Sequence, residues 1–194
     1  MIMVDNRPEL NRMGLSLRNI DSRYKPIMRM GISIDEMIYV ARRLYPMVKA
    51  SERILEVGCV NGLIWVILSK LLDREVYVID DWNQVSKDDV MRNIKEDNAK
   101  VLLNDFHEGY GLPFDDRSFN LVYSVMFLSN IGREGRLKLG KEVLRVLKNN
   151  GLFIVVDMLV FRGKIRKDLE GMFKLKWYGE ENGFSFFLWS NNLT

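Results

Sequence analysis

Residues 53–72 read RILEVGCVNGLIWVILSKLL. An apolar run holding one acid, Glu56, breaks at Gly58, a short turn leads to Gly62, and Leu63–Leu72 is apolar almost all round. The short run bounded by glycine predicts a strand over 53–57, and the longer one predicts a buried helix over 63–72. Strand, glycine turn and helix in that order begin an α/β unit. Its turn lies at the strand's carboxyl end, where open α/β sheets bind their ligands.

The same alternation continues in both directions. Upstream, Ser33 or Asp35 can cap a helix whose apolar positions Met37, Ile38, Val40, Ala41, Leu44 and Val48 recur at three and four. Downstream come a strand at EVYVID (75–80), a charged helix over 87–97, and strands at KVLLND (100–105) and FNLVYSVMF (119–127). RLKLGKEVLRVLK (136–148) predicts a helix with Leu137, Gly140, Val143, Leu144 and Leu147 on one stripe, stopped by NNG, and GLFIVVDMLV (151–160) a buried strand. After a short helix near 165–172, FKLKWY and FSFFLW flank GEENG and predict a hairpin. Strands that alternate with helices and are apolar on both faces imply a parallel sheet covered on both sides. With right-handed crossovers the expected fold is α/β, a doubly wound, Rossmann-like sheet of seven strands, mostly parallel and ending in an antiparallel pair. Residues 1–50 are expected to form a helical, substrate-covering segment and 51–194 the main domain.

Bulk properties narrow the class. The chain has 194 residues, 47% hydrophobic and 11% aromatic, enough for a full core. Its apolar runs stop short of the ~18 residues a membrane span needs, and MIMVDNRPELNRMG lacks a basic-then-apolar leader, so a cytoplasmic protein without membrane attachment is expected. A single cysteine, Cys59, and a single histidine, His107, exclude a disulfide framework and a Cys/His metal cluster, and no metal is expected. Residues 1–50 hold nine Lys and Arg against five Asp and Glu, and 159–194 six against four, in a chain of net charge +3, so the middle is acidic between basic flanks. The basic residues from Arg7 to Arg29 stand singly among apolar and polar neighbours, unlike a nucleic-acid tail.

The glycine turn discriminates among nucleotides. The dinucleotide fingerprint G-x-G-x-x-G needs glycine at 58, 60 and 63; here stand Gly58, Val60 and Leu63. Glu56 would repel a diphosphate but suits an ammonium group. LEVGCVNG resembles the first motif of class I S-adenosylmethionine-dependent methyltransferases, an acid followed by G-x-G-x-G. VYVIDDW is similar to their second-strand motif, and LLNDFHEGYGLPFDDRSFNLVYSVMFLSNIG to the third- and fourth-strand region of the small-molecule type 11 branch. EVLRVLKNNGLFIVVD resembles the helix, turn and fifth strand that follow, and the terminal hairpin also fits this family.

The resemblance implies S-adenosyl-L-methionine as cofactor and a role for each matching residue. Glu56 would fix the methionine ammonium, with Gly58, Cys59 and Gly62 in the turn giving backbone access. Asp80 would accept bonds from the ribose hydroxyls, Asp81 and Trp82 would border the adenine, and Asp105 with the Phe106 N–H would read the adenine edge. Ser124 and Val125 would pass under the methionine part. The chain departs from the pattern at Val60, which replaces the middle glycine and either points away or narrows the pocket; at Asp81, where an apolar residue is usual; at Asn120, in place of an aspartate; and at Ser129 and Asn130, where relatives often carry histidines. His107, Asn130, Tyr24 and Tyr123 are the candidate bases for acceptors that must lose a proton. Arg23, Tyr24, Lys25 and Arg29 are candidates for the cover. The first expectation is a methyltransferase acting on a small molecule. The alternatives are a non-catalytic partner subunit of the same fold, suggested by Val60 and Asp81, and an RNA or protein methyltransferase, suggested by the basic flanks.

Overall fold

The computed structural model describes residues 7–25 and 32–192, so Arg29 lies outside the described residues. Seven strands, β1 (Ile54–Val57), β2 (Val76–Asp80), β3 (Val101–Asp105), β4 (Phe119–Val125), β5 (Leu147–Met158), β6 (Lys174–Glu181) and β7 (Phe184–Ser190), form one sheet in the order β3-β2-β1-β4-β5-β7-β6. β1 pairs in parallel with β2 and β4, and β4 with β5, whereas β7 is antiparallel to both β5 and β6. The Val76 N–H donates to the Lys100 carbonyl at 3.0 Å and Asn104 Nδ2 reaches the Val78 carbonyl at 3.4 Å. β3 therefore starts beside β2 and runs the same way. The chain works outward from β1 to β3 and then restarts at β4, so the strand order reverses between β1 and β4. That is the switch point at which such sheets open a crevice.

The described residues divide into two units, one within 1–50, 59–76 and 82–102, the other within 51–58, 77–81 and 103–194. The first holds helices α1 (Pro8–Arg12), α2 (Ile20–Arg23), α3 (Ile34–Val48), α4 (Leu63–Leu72) and α5 (Lys87–Asp97). Ser33 caps α3: its hydroxyl accepts the Glu36 N–H while the Glu36 carboxylate accepts the Ser33 N–H, which satisfies two donors at once. All six expected apolar positions of α3 are buried, and α4, against which it packs, is buried on every side from Leu63 to Ser69. Leu10, Leu17, Ile20 and Tyr24 are at most 1% exposed, so the amino-terminal segment belongs to the core of this unit. Deleting residues 7–25 would remove part of that core.

The second unit holds most of the sheet with α6 (Arg133–Val146) and α7 (Arg162–Leu169). Leu55, Val57, Val122, Phe153 and Val155 of the strands pack with Leu139, Val143, Ile165 and Leu169 of these helices. Two expectations need correction here. NNG does not stop the helix: α6 ends at Val146, Leu147 is already extended (φ −74°, ψ 133°), and it pairs with Phe119 as the first residue of β5. Sheet pairing of the buried Leu147 wins over helix continuation, and the turn conformation falls inside the strand, at Asn150 (φ 61°), beside a register shift. The buried stripe of α6 is also rotated, to Leu139, Gly140, Val143 and Val146, with Leu137 and Leu144 half-buried. Gly140 lies on that stripe, where a Cβ would fall 2.5 Å from Met172 Cε. The hairpin closes through Asn182 and Gly183, both at positive φ (50° and 82°), the two-residue turn that matches strand twist.

Candidate functional site

In the second unit, register places Glu56 of β1 between Val78 of β2 and Tyr123 of β4. Glu56 is fully buried. Its Oε2 accepts the Tyr123 hydroxyl, and its Oε1 has no hydrogen-bond partner among the described residues. Burial pushes the carboxyl well above the usual range; the Tyr123 bond opposes this, and the charge of Asp80 adds to it. A buried polar atom left unpaired costs about 1–3 kcal/mol, and a cationic donor arriving at Oε1 would remove that penalty. The donor set thus fits the ammonium group that the sequence motif implies.

The neighbouring positions are built around the same strand ends. Asp80 closes β2 and is 5% exposed. Asp81 is half-buried, and its charge, after burial, raises the Tyr110 hydroxyl above its ordinary value. The Tyr110 ring meets Phe106 edge-on at 5.4 Å, and Phe106 stacks on Phe127 at 5.8 Å and 18°. Phe127 in turn closes on Gly58: a Cβ at Gly58 would fall 2.4 Å from Phe127 Cβ, and its φ is +86°. Only glycine satisfies both conditions. Ser124 and Val125 are buried, with Ser124 Oγ donating to the Val57 carbonyl at 2.8 Å. Asp105 closes β3 and is exposed. The remaining candidates of this unit lie outside the buried group. His107 is exposed, its backbone N–H donating to the Gly111 carbonyl at 2.8 Å. Asn130 is exposed, with Nδ2 donating to the Met126 carbonyl at 2.6 Å.

In the first unit, the turn itself answers the question posed by Val60. Val60 adopts φ +49° and Gly62 φ +94°, as Gly58 does at +86°. A β-branched residue there is a conformational outlier, with strain of order 1–3 kcal/mol. The valine thus holds a left-handed backbone that a glycine adopts freely, and its side chain is buried at 5% exposure. Cys59 is buried too. A Cβ on Gly62 would meet Trp65 at 2.7 Å, so this glycine lets α4 begin tightly. Trp82 is half-buried at φ +56°, with Lys87 Nζ 5.3 Å from its ring centroid.

Tyr24 is buried, and its hydroxyl donates to Asp97; burial, then the Asp97 charge, pushes that hydroxyl up. Arg23 donates to both Asp97 oxygens at 2.8 Å. Asn93 Nδ2 donates to the Arg23 carbonyl at 3.2 Å and Asn61 Nδ2 to the Lys25 carbonyl at 3.0 Å. Residues 23–25 are therefore fastened to α5 and to the glycine turn. They border a cavity of about 690 Å³ whose walls include Lys25, Asn61, Gln84, Asp89 and Asn93.

Several contributors escaped the sequence reading. Tyr123 was visible only as a candidate base, and Asp97 only as the end of a charged helix. Asp157, fully buried at the end of β5, accepts N–H groups from Ser129 (3.0 Å) and Met158 (2.8 Å), and its only signal was an acid closing an apolar run. Among the described residues no group of three or more His, Cys, Asp and Glu could hold a metal ion, and no helix is long and apolar enough to cross a membrane.

Comparison with known proteins adds a family. The sequence profile described as a methyltransferase domain, type 11, matches residues 55–155. YrhH of Bacillus subtilis, whose name assigns it provisionally to the methyltransferases, is 36% identical over 113 residues, 56% of this chain and 58% of that protein. The chain spans about half the length of the curated relatives it matches. Among solved structures, the PH0226 protein of Pyrococcus horikoshii superposes with a TM-score of 0.69 at 15% identity, over 84% of this chain and 94% of that one. The N-methyltransferase NodS of Bradyrhizobium japonicum, in complex with S-adenosyl-L-homocysteine, gives 0.64 at 14% identity, over 86% and 92%.

Proposed function

We propose that this chain, which belongs to the type 11 methyltransferase-domain family of class I S-adenosylmethionine-dependent enzymes, transfers a methyl group to a small-molecule acceptor. The observation that carries the reading is the Glu56 carboxylate, fully buried at the switch point, with one oxygen fixed by Tyr123 and the other unpaired. S-adenosylmethionine, when bound, supplies an electrophilic methyl group, so the protein's share is placement and exclusion of water.

In this reading Glu56 holds the cofactor's ammonium and Asp80 its ribose hydroxyls, while Asp105 and the Phe106 N–H read the adenine, with Asp81 and Trp82 at its border. Gly58, Cys59 and Gly62 shape the turn, and Ser124 and Val125 form the floor. A buried carboxylate meeting a cation makes a charge-assisted bond of the stronger kind. Residues 1–50 act as the cover, held by Arg23 and Tyr24 on Asp97. The Tyr24 and Tyr123 hydroxyls are engaged by Asp97 and Glu56, so both serve as positioning groups here, which leaves exposed His107 as the group open to an acceptor proton and Asn130 as a hydrogen-bonding group rather than a base. Because Val60 keeps the glycine-like φ, its presence does not favour a non-catalytic role.

Calorimetry with S-adenosylmethionine and S-adenosylhomocysteine tests the proposal. Micromolar binding of both is expected, with Glu56→Gln weakening each about tenfold or more. No heat at high micromolar ligand would refute it. Transfer of labelled methyl groups to the low-molecular-mass fraction of a cell extract, and not to its RNA or protein, tests the acceptor class.

A further inference from the structure

A second cavity, of about 420 Å³, lies in the second unit beyond the ends of β4 and β5. Its walls include Arg133, Arg136 and Lys164, together with Ser129, Asn130 and Phe161. The charges there do not balance. Two guanidinium groups share one buried carboxylate: Asp168 accepts Arg136 Nε at 2.7 Å and Arg133 Nε at 3.2 Å. Arg136 is 8% exposed, and its Nη1 is further engaged by the Ile131 carbonyl at 2.6 Å and the Leu128 carbonyl at 3.3 Å. Lys164 is exposed and pairs with no carboxylate among the described residues. The other nearby acids are already engaged. Asp157 accepts two backbone N–H groups, and Glu134 pairs with Lys138 at 3.0 Å.

Position gives this excess of positive charge a use. Ser129 is fixed by Asp157 of β5, and Asn130 is tied to the Met126 carbonyl, one residue past the end of β4. The cavity wall thus begins four residues after Val125, the last residue of β4. Phe161 and Ile165 make part of that wall apolar.

We propose that this cavity binds the acceptor through an anionic group, a carboxylate or a phosphate carried on an apolar body, with Arg133 and Lys164 as its ligands and Asp168 and Arg136 as their support. The proposal rests on the methyltransferase reading for the word acceptor, but not for the anion site. Charge-assisted bonds to an oxyanion suit guanidinium and ammonium donors, and the excess positive charge would draw an anion in from solution in a salt-dependent way.

The full chain is titrated with benzoate, phenyl phosphate and benzyl alcohol by calorimetry or ligand-observed NMR, with S-adenosylhomocysteine titrated separately. Arg133→Gln/Lys164→Gln changes two exposed side chains, so its circular dichroism and melting should match the wild type. At least one anion is expected to bind, benzyl alcohol not, and the double variant is expected to weaken the anion at least about tenfold while leaving S-adenosylhomocysteine affinity unchanged. Whichever anion binds tells a carboxylate from a phosphate acceptor. Absence of binding by both anions, equal binding of the alcohol, or unchanged anion affinity in the variant would overturn the site. Anion binding with the same variant effect but no S-adenosylhomocysteine binding would keep the site and overturn the methyltransferase reading instead.

Discussion

Tyr123→Phe deletes the hydroxyl that donates to Glu56 and leaves the aromatic ring in place. Glu56 is fully buried, and its carboxyl is held well above the ordinary value of 4.5, chiefly by burial, with the Tyr123 bond working in the opposite direction. A hydrogen bond to an ionised group contributes about 1.5–3 kcal/mol. Its loss moves the Glu56 proton further up. Binding an ammonium group requires the carboxylate, so cofactor affinity should rise about tenfold per pH unit until Glu56 ionises unaided, and then level off. In Tyr123→Phe the levelling point lies at higher pH, and below it affinity is about 10- to 100-fold weaker. The same carboxyl marks stability. Its raised value contributes stability that is fully present below the unfolded value of 4.5 and lost as pH rises through the folded value. Calorimetry across about pH 5 to 9, in buffers of different ionisation enthalpy, reports both the affinity and the proton released. Affinity independent of pH, or the same levelling point in both proteins, would refute the reasoning.

Gly58→Ala forces a Cβ to within 2.4 Å of Phe127 at φ +86°; a loss of about 3 kcal/mol or more in urea unfolding is expected, and a loss below about 1 kcal/mol would show that Phe127 moves freely. Val60→Gly relieves strain of about 1–3 kcal/mol but gives up a buried side chain worth about 1.5–3 kcal/mol, so stability should change by only about 1 kcal/mol and cofactor affinity should not fall. A large loss of affinity would mean that the valine side chain itself contacts the ligand. Asp97→Asn leaves Arg23, 12% exposed, with only the longer Glu96 pair at 3.4 Å, at a cost of about 1.5–3 kcal/mol. Proteolysis near Arg23 should then precede global unfolding, and an unchanged cleavage pattern would count against the fastening of residues 23–25.

Much of the framework was legible because it is encoded at short range. An apolar run of four or five residues ending at glycine yields β1, the i, i+3, i+4 spacing yields α3, and two aromatic runs around GEENG yield a hairpin, whose turn the structure narrows to Asn182 and Gly183 as β6 extends to Glu181. The acids at 56, 80 and 105 were likewise visible as strand-closing carboxylates. The glycine turn was legible in outline, since Gly58 and Gly62 both take the positive φ their identity suggests.

What tertiary structure decided is which partner each group meets. Tyr123 and Glu56 are 67 residues apart and touch only through β1–β4 register. Tyr24 and Asp97 are 73 apart, and Asp168 and Arg136 are 32 apart. The α6 stop failed for the same kind of reason, because pairing of Leu147 with Phe119 outweighs a local turn signal. The sequence alone determined the alternation of strands and helices and the glycines of the turn, since those follow from each residue's own conformational preferences and the periodicity of its neighbours. Only the folded sheet decided that Glu56 keeps one oxygen unpaired and that Val60 takes a glycine's φ, because hydrogen bonding and strain depend on what the rest of the chain places within a few ångströms.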